Sequence, residues 1–197
     1  MVTPLDDRAL VTAAQQGDRG AMDQLLRRHY DRIYAVCRRI VGNDSDAADA
    51  SQEAMIAMVR SLARFDGRST ISTWAYRIAT NASLDELRRR RRRPMLAMPA
   101  RDDLPHEVAD PDSGLRIDSI GDRELLDQAL AGLAEEFRVP VVLRDIADLD
   151  YAEIVLTLDI PVGTVKSRIA RGRAALAVAL SAPGNQTTPH ERQTNTP

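Results

Sequence analysis

The stretch DLDYAEIVLTLDIPVGTVKSRIARGR, residues 148–173, decides how this chain is read. Tyr151–Leu158 carries Ile154, Val155 and Leu158 at helical spacing, which predicts a short helix. Residues 159–163 cannot continue it, because Pro161 has no amide hydrogen and its ring clashes with the preceding turn. Thr164 can cap a second helix whose apolar stripe is Val165, Ile169 and Leu176. That stripe leaves Lys166, Arg168, Arg171 and Arg173 for solvent, for phosphates or for base edges. A helix, a turn and a basic helix in this order form the layout of a helix-turn-helix, whose second helix enters the DNA major groove. The same layout also arises where two amphipathic helices meet at a Pro-Gly turn and the basic face is merely solvated.

A length of 197 residues suffices for one or two small domains, each able to bury a core. The net charge of −2 excludes a uniformly basic nucleic-acid binder, but the charge is unevenly placed. Residues 1–93 hold 17 arginines against 12 acids, whereas residues 94–121 hold 2 arginines against 6 acids. Residues 122–181 hold 7 cations and 10 acids, so the second module is acidic overall yet basic along one helix. Lys166 is the only lysine, so an arginine at any single position says little about a preference for arginine there. Cys37 stands alone, which excludes a disulfide framework and a cysteine-based zinc site. It shares an apolar stripe with Ile33 and Ile40 and reads as a core filler. No apolar run approaches the ~18 residues of a membrane span, and the N-terminus lacks a signal-peptide pattern. A cytoplasmic protein with no membrane insertion is expected.

The remaining periodicity predicts an all-α chain. Helices are expected over residues 5–15, 21–41, 46–65 and 70–92, then 122–133 and 135–146. In the second, Leu25, Leu26, Ile33, Cys37 and Ile40 face inward; in the third, Met55, Met58, Val59, Leu62 and Phe65 do so, with Ser45 or Asp46 as cap. The fourth stops before Pro94 because the residue before proline avoids helical geometry. Pro140 must start, kink or interrupt the helix that contains it. Four prolines in the acidic stretch 94–121 mark a linker, and the polar residues 182–197 read as a disordered tail. The expected organisation is therefore a domain over 1–93, a linker over 94–121, a helix-turn-helix domain over 122–181 and a tail.

Two helical modules, an acidic tether and a C-terminal helix-turn-helix resemble the extracytoplasmic-function sigma factors of bacterial RNA polymerase. The C-terminal signature is Tyr151-x-Glu153-Ile154 followed by Pro161-x-Gly163-Thr164-Val165-Lys166-Ser167-Arg168. The N-terminal one is Asp49-x-x-Gln52-Glu53, then Phe65-Asp66-Gly67-Arg68-Ser69 leading into Thr73-Trp74-x-Tyr76-Arg77-Ile78-Ala79-x-Asn81 and an arginine run. The chain departs from the family at Ala50 and Ser51, where bulkier residues are common, and at Val155 and Gly172, where alanine is usual. Glycine inside the recognition helix costs roughly 1 kcal/mol in helix propensity.

Each motif has a physical reading beside the one the resemblance implies. Asp49, Gln52 and Glu53 share one helix face, which is either solvated or docks on a basic partner by charge complementarity. The resemblance implies that this partner is the clamp helices of the largest subunit of core RNA polymerase, with the flap as a second contact. Trp74 reads as core, while Tyr76 is divided between packing and stacking on a melted base. Asn81 lies one turn after Arg77, and its amide offers the paired donor and acceptor that a flipped base requires. The resemblance places Ser69, Thr70, Ile71, Tyr76, Arg77 and Asn81 at the minus-ten element of the promoter, on the melted non-template strand. Arg88 to Arg93 are six like charges at a helix end, and Arg88, Arg89 and Arg92 are expected on phosphates. The acidic linker is either a tether or a polyanion-like strand threading a basic channel. Thr164, Lys166, Ser167, Ala170 and Arg171 are implied at the duplex minus-thirty-five element, with Arg168 and Arg173 on phosphates or in internal ion pairs. An anti-sigma factor acting in trans is also implied. His29, His106 and His190 lie in separate segments without ligand spacing, so no metal, cofactor or catalytic constellation is expected. The alternative reading is a free-standing helix-turn-helix regulator that binds operator DNA.

Overall fold

The computed structural model describes residues 6–92 and 120–181, and every regular element among them is helical. Arg93, most of the acidic stretch, His106 and the tail with His190 lie outside the described residues, and so do the readings made for them. The expectation of an all-α chain is met.

Helix α1 spans Asp7–Gln15, and the Asp6 side chain accepts from the Ala9 amide at 2.8 Å to cap it. Helix α2 spans Arg19–Val41, two residues longer at its start than the periodicity suggests because Asp18 supplies the cap. It ends at Gly42, whose φ of 86° is left-handed. Helix α3 spans Asp44–Ser61. Its cap is Asn43, not Ser45 or Asp46, with the Asn43 side-chain Oδ1 accepting from the Asp46 amide at 2.9 Å. Its buried side is Ala47, Ala50, Ser51, Ala54 and Met58, whereas Val59 is 46% exposed, contrary to expectation. A single 3-10 turn over Leu62–Arg64 replaces the predicted last turn. Helix α4 spans Ile71–Arg92 and packs on α2 and α3.

In the second half α5 spans Ile120–Ala131, starting two residues inside the expected linker. Helix α6 spans Glu135–Val141 and contains Pro140. The chain then widens into a π-turn over Val142–Ile146, closed by Ala147 N–H to Val142 O at 3.0 Å. Proline thus interrupts the run rather than starting it: lacking an amide, Pro140 cannot bond to the preceding turn, and the helix continues in another register. Helix α7 spans Tyr151–Leu158 and α8 spans Val162–Leu180.

The two halves pack directly on each other. One apolar cluster runs from Ile33, Cys37 and Ile40 of α2 through Leu130, Val139 and Leu143 to Ile154, Val165 and Ile169. The α5–α6 turn abuts the end of α2, where a side chain at Gly42 would lie 3.5 Å from Ala131 Cβ. Arg39 reaches Asp127 at 3.2 Å and Arg91 reaches Glu135 at 2.5 Å across the same seam. A smaller cluster of Leu10, Leu25, Leu62 and Ile71 fixes α1 against the base of the α4 loop.

Candidate nucleic-acid interface and docking face

The second helix of the helix-turn-helix is held from below and left open above. Asp150 and Glu153 form a reciprocal capping box on α7, each contact at 2.8 Å. Asp159, with φ 52°, ends α7 in the left-handed region. Helix α8 then begins at Val162, so Thr164 sits inside its first turn and is not the cap; Pro161 holds the cap position with no side-chain bond. Val165 and Ile169 are buried as expected, and Gly172 continues their stripe. Its backbone lies so close to α6 that an added Cβ would come within 2.6 Å of Val141 Cγ2. Glycine at this position is what lets α6 and α8 approach, a reason that helix propensity does not carry.

Lys166, Ser167, Ala170 and Arg171 are all exposed, and Lys166–Ala170, Ser167–Ala170 and Ser167–Arg171 are three or four residues apart, forming one strip on the outer face. Ser167 Oγ donates to Thr164 O at 3.0 Å and keeps its acceptor capacity. The Lys166 ammonium sits 5.5 Å from the Tyr151 ring centroid, with Arg144 near the same ring at 5.3 Å. Arg168 and Arg173 turn to acids, Glu136 at 3.3 Å and Asp145 at 2.9 Å. The hydrogen bond from Arg173 to Asp145 raises the guanidinium pKa further.

The α4 module presents a different surface. Thr70 accepts from Thr73 N at 3.0 Å, so its hydroxyl starts α4, while Ser69 is half-exposed and Ile71 is packed inward. The left-handed Gly67, φ 72°, turns the chain ahead of them. Tyr76 is 8% exposed and packs in the main core. Trp74, read as core, is half-exposed with its ring 5.2 Å from that of Phe65. Arg77 is half-exposed and Asn81 exposed, one turn apart on the same face.

The arginine run does not stand as a bare cationic end. Arg88 pairs with Asp85 at 2.6 Å, Arg89 with Glu86, Arg90 with Asp46 at 3.2 Å and Arg91 with Glu135. Acids of this chain meet four of the six arginines. All four remain exposed, and Arg92 is exposed as well. Glu135 and Glu136 are the residues that sequence reasoning missed here. They begin α6, and between them they hold one arginine of the run and one of α8. Only their position at a helix start, where acids favour the dipole, was visible in sequence.

On α3, Asp49, Gln52 and Glu53 are exposed and make no side-chain hydrogen bond or ion pair among the described residues. The opposite face of the same helix is the alanine-rich core side. Glu53 and Asn81 border one groove between α3 and α4, so the docking face and the α4 face adjoin. Elsewhere, Cys37 is fully buried and its thiol is pushed up to about 11 by desolvation. His29 is buried beside Asp7 at 3.0 Å, and burial lowers its pKa despite that carboxylate. Among the described residues no group of His, Cys, Asp and Glu is arranged to hold a metal. No helix among them is long and apolar enough to cross a membrane.

Comparison with known proteins places this geometry. Residues 25–93 match the sequence profile of Sigma-70 region 2, and residues 123–176 match that of Sigma-70, region 4. The chain is 41% identical over 175 residues to the ECF RNA polymerase sigma factor SigE of Mycolicibacterium smegmatis, covering 87% of this chain and 67% of that relative. It is 34% identical to the RNA polymerase sigma-H factor of Pseudomonas aeruginosa, covering 91% and 96%. Among solved structures it is similar to CnrH bound to the cytosolic domain of CnrY, with 25% identity, a TM-score of 0.62 and coverage of 90% and 98%. The fold is also that of RpoE in complex with the anti-sigma factor NepR from Bartonella quintana, at 19% identity, a TM-score of 0.63 and coverage of 82% and 97%.

Proposed function

This chain belongs to the extracytoplasmic-function sigma factors of the sigma-70 family, and from that premise we propose how its surfaces divide the work of promoter-specific initiation. The α3 face of Asp49, Gln52 and Glu53 docks on the clamp helices of the largest polymerase subunit, and the second module contacts the flap. Loop residues Ser69 and Thr70, with Arg77 and Asn81, meet the melted minus-ten strand, while the exposed arginines ending α4 follow its phosphates. Lys166, Ser167, Ala170 and Arg171 read the minus-thirty-five duplex, and Thr164 lies at its edge. Arg168 and Arg173 reach phosphates once their acids release them. The protein acts in the cytoplasm, has no catalytic activity of its own and is restrained by an anti-sigma factor in trans. The complex of a similar fold with the anti-sigma factor NepR supports that last point.

The observation that carries the reading is the co-occurrence of both family signatures in one chain, each with its outward residues free of the core. A free-standing operator-binding regulator has no use for the first signature.

The packed arrangement must open for this work. Two elements about 25 base pairs apart lie some 85 Å apart along B-DNA at ~3.4 Å per step, whereas both modules here share one core. The 28 residues of the stretch 94–121 can span up to about 95 Å when extended. Core polymerase supplies the separated docking points that hold the modules apart.

The test is reconstitution of the full chain with bacterial core polymerase and mapping of start sites on genomic DNA. Discrete starts that depend on both chain and core are expected. Tight duplex binding without polymerase and no new start sites would return the assignment to the regulator class.

A further inference from the structure

We propose that the groove between α3 and α4 is a receptor for an arginine side chain of the core polymerase, with Glu86 as its buried anchor; this rests on the docking reading of α3. The groove has a volume of about 540 Å³. Ala57 and Ala82 form part of its walls, and their small side chains leave the space open. Glu53 and Asp85 stand at its rim, and Glu86 lies at its floor, only 2% exposed.

Glu86 is the unusual member. Its carboxylate is buried, with the Arg89 guanidinium against one oxygen and no hydrogen bond among the described residues to the other. A buried carboxylate touched by a single, exposed cation is poorly compensated, because desolvation is costly unless its lone pairs are filled. The other oxygen has no partner among the described residues. Arg88 engages Asp85 and Arg89 engages Glu86, so Glu53 is the carboxylate of the groove left without a cation among the described residues, and it makes the groove attractive to one. An arginine fits better than a lysine. Its planar fork can serve a carboxylate with two donors, and its aliphatic stem can lie along Ala57 and Ala82. The groove opens beside Glu53, on the flank of the proposed docking face, so a basic helix lying on α3 is positioned to deliver such a side chain.

The experiment measures the affinity of the full chain for core polymerase in three variants. Glu86→Gln removes the anchoring charge and keeps the shape. Ala57→Leu fills the groove and keeps the charge. Each is expected to weaken binding roughly ten- to hundredfold, the loss of one charge-assisted contact, with helicity and melting temperature kept. Asp49→Arg/Glu53→Arg tests the docking face itself. If this double variant loses binding while Glu86→Gln and Ala57→Leu bind as wild type, the groove is not a receptor and the docking reading stands. If the double variant also binds as wild type, the docking reading falls and takes the groove with it. A photo-crosslinking residue at Ala57 identifies the occupant even if a substitution perturbs folding. A cross-link to the largest subunit supports the proposal; one to a DNA strand, or within the chain, overturns it.

Discussion

Replacing Gly172 with alanine should destabilise this protein, although alanine is the better helix former. In the middle of a helix the exchange gains about 1 kcal/mol of propensity. At this position the new Cβ would lie 2.6 Å from Val141 Cγ2, 3.1 Å from Phe137 O and 3.4 Å from Phe137 Cβ. The valine methyl can rotate only into a packed core, since Val141 is itself 2% exposed. The Phe137 carbonyl belongs to α6 and moves only if the helix does. Overpacking of this kind costs ~1–3 kcal/mol, so the net expectation is a loss of about 1 kcal/mol. For a chain of this size that is about 2–4 °C in melting temperature. Urea unfolding followed by far-ultraviolet circular dichroism measures it, and a cycle with Val141→Ala isolates the cause. If the contact is responsible, the double variant is more stable than the two single effects predict, by about 1 kcal/mol. A Gly172→Ala protein that gains stability, or a cycle that is additive, refutes the reasoning and leaves the glycine as an accident of sequence.

Arg171→Ala should weaken minus-thirty-five recognition by roughly 1–3 kcal/mol, the size of one good base contact, read from holoenzyme binding to wild-type and mutated upstream elements. Equal loss on both would make Arg171 a phosphate contact. Glu135→Gln/Glu136→Gln should release Arg91 and Arg168. Anisotropy titrations of the free protein on arbitrary duplex should then show tighter binding and a log–log salt slope steeper by up to about two; an unchanged slope would mean these acids mask nothing. Asn81→Ala should lower stable open complex, read by permanganate on unpaired thymines, with the defect shrinking on a template already mismatched at the minus-ten element. An equal defect on both templates would make Asn81 structural. For His29, burial depresses the folded pKa below the ordinary 6.5, so the unfolded chain binds the proton more readily. The associated stability is complete above about pH 6.5 and is lost as pH falls below it. Urea midpoints taken from neutral pH downward should fall more steeply for wild type than for His29→Gln, and parallel curves would remove His29 from the acid response.

The sequence by itself determined the local elements and the chemistry on their outer faces. Helical periodicity, Pro161, Gly42 and the arginine run are short-range signals, and they placed the all-α class and the two helices of the DNA-reading motif to within a few residues. The exposed acids of α3 and the outer strip of α8 were legible for the same reason: a residue off an apolar stripe must face outward. Cap choice was less legible. Asn43, Ser45 and Asp46 all suit the role, and the backbone alone selects Asn43. Tertiary structure decided which residues meet across distance. It buried Tyr76 and left Trp74 half-exposed, although both are aromatics on one helix. It brought Glu135 and Glu136 to arginines 44 and 32 residues away. It closed α6 onto Gly172 and merged two sequence modules into one core. It also buried the carboxylate of Glu86 in a groove lined by Ala57 and Ala82. None of these follows from spacing, because periodicity reports which face of a helix is apolar but not which neighbour covers it, and charge pairing depends on distances that only the packed helices set.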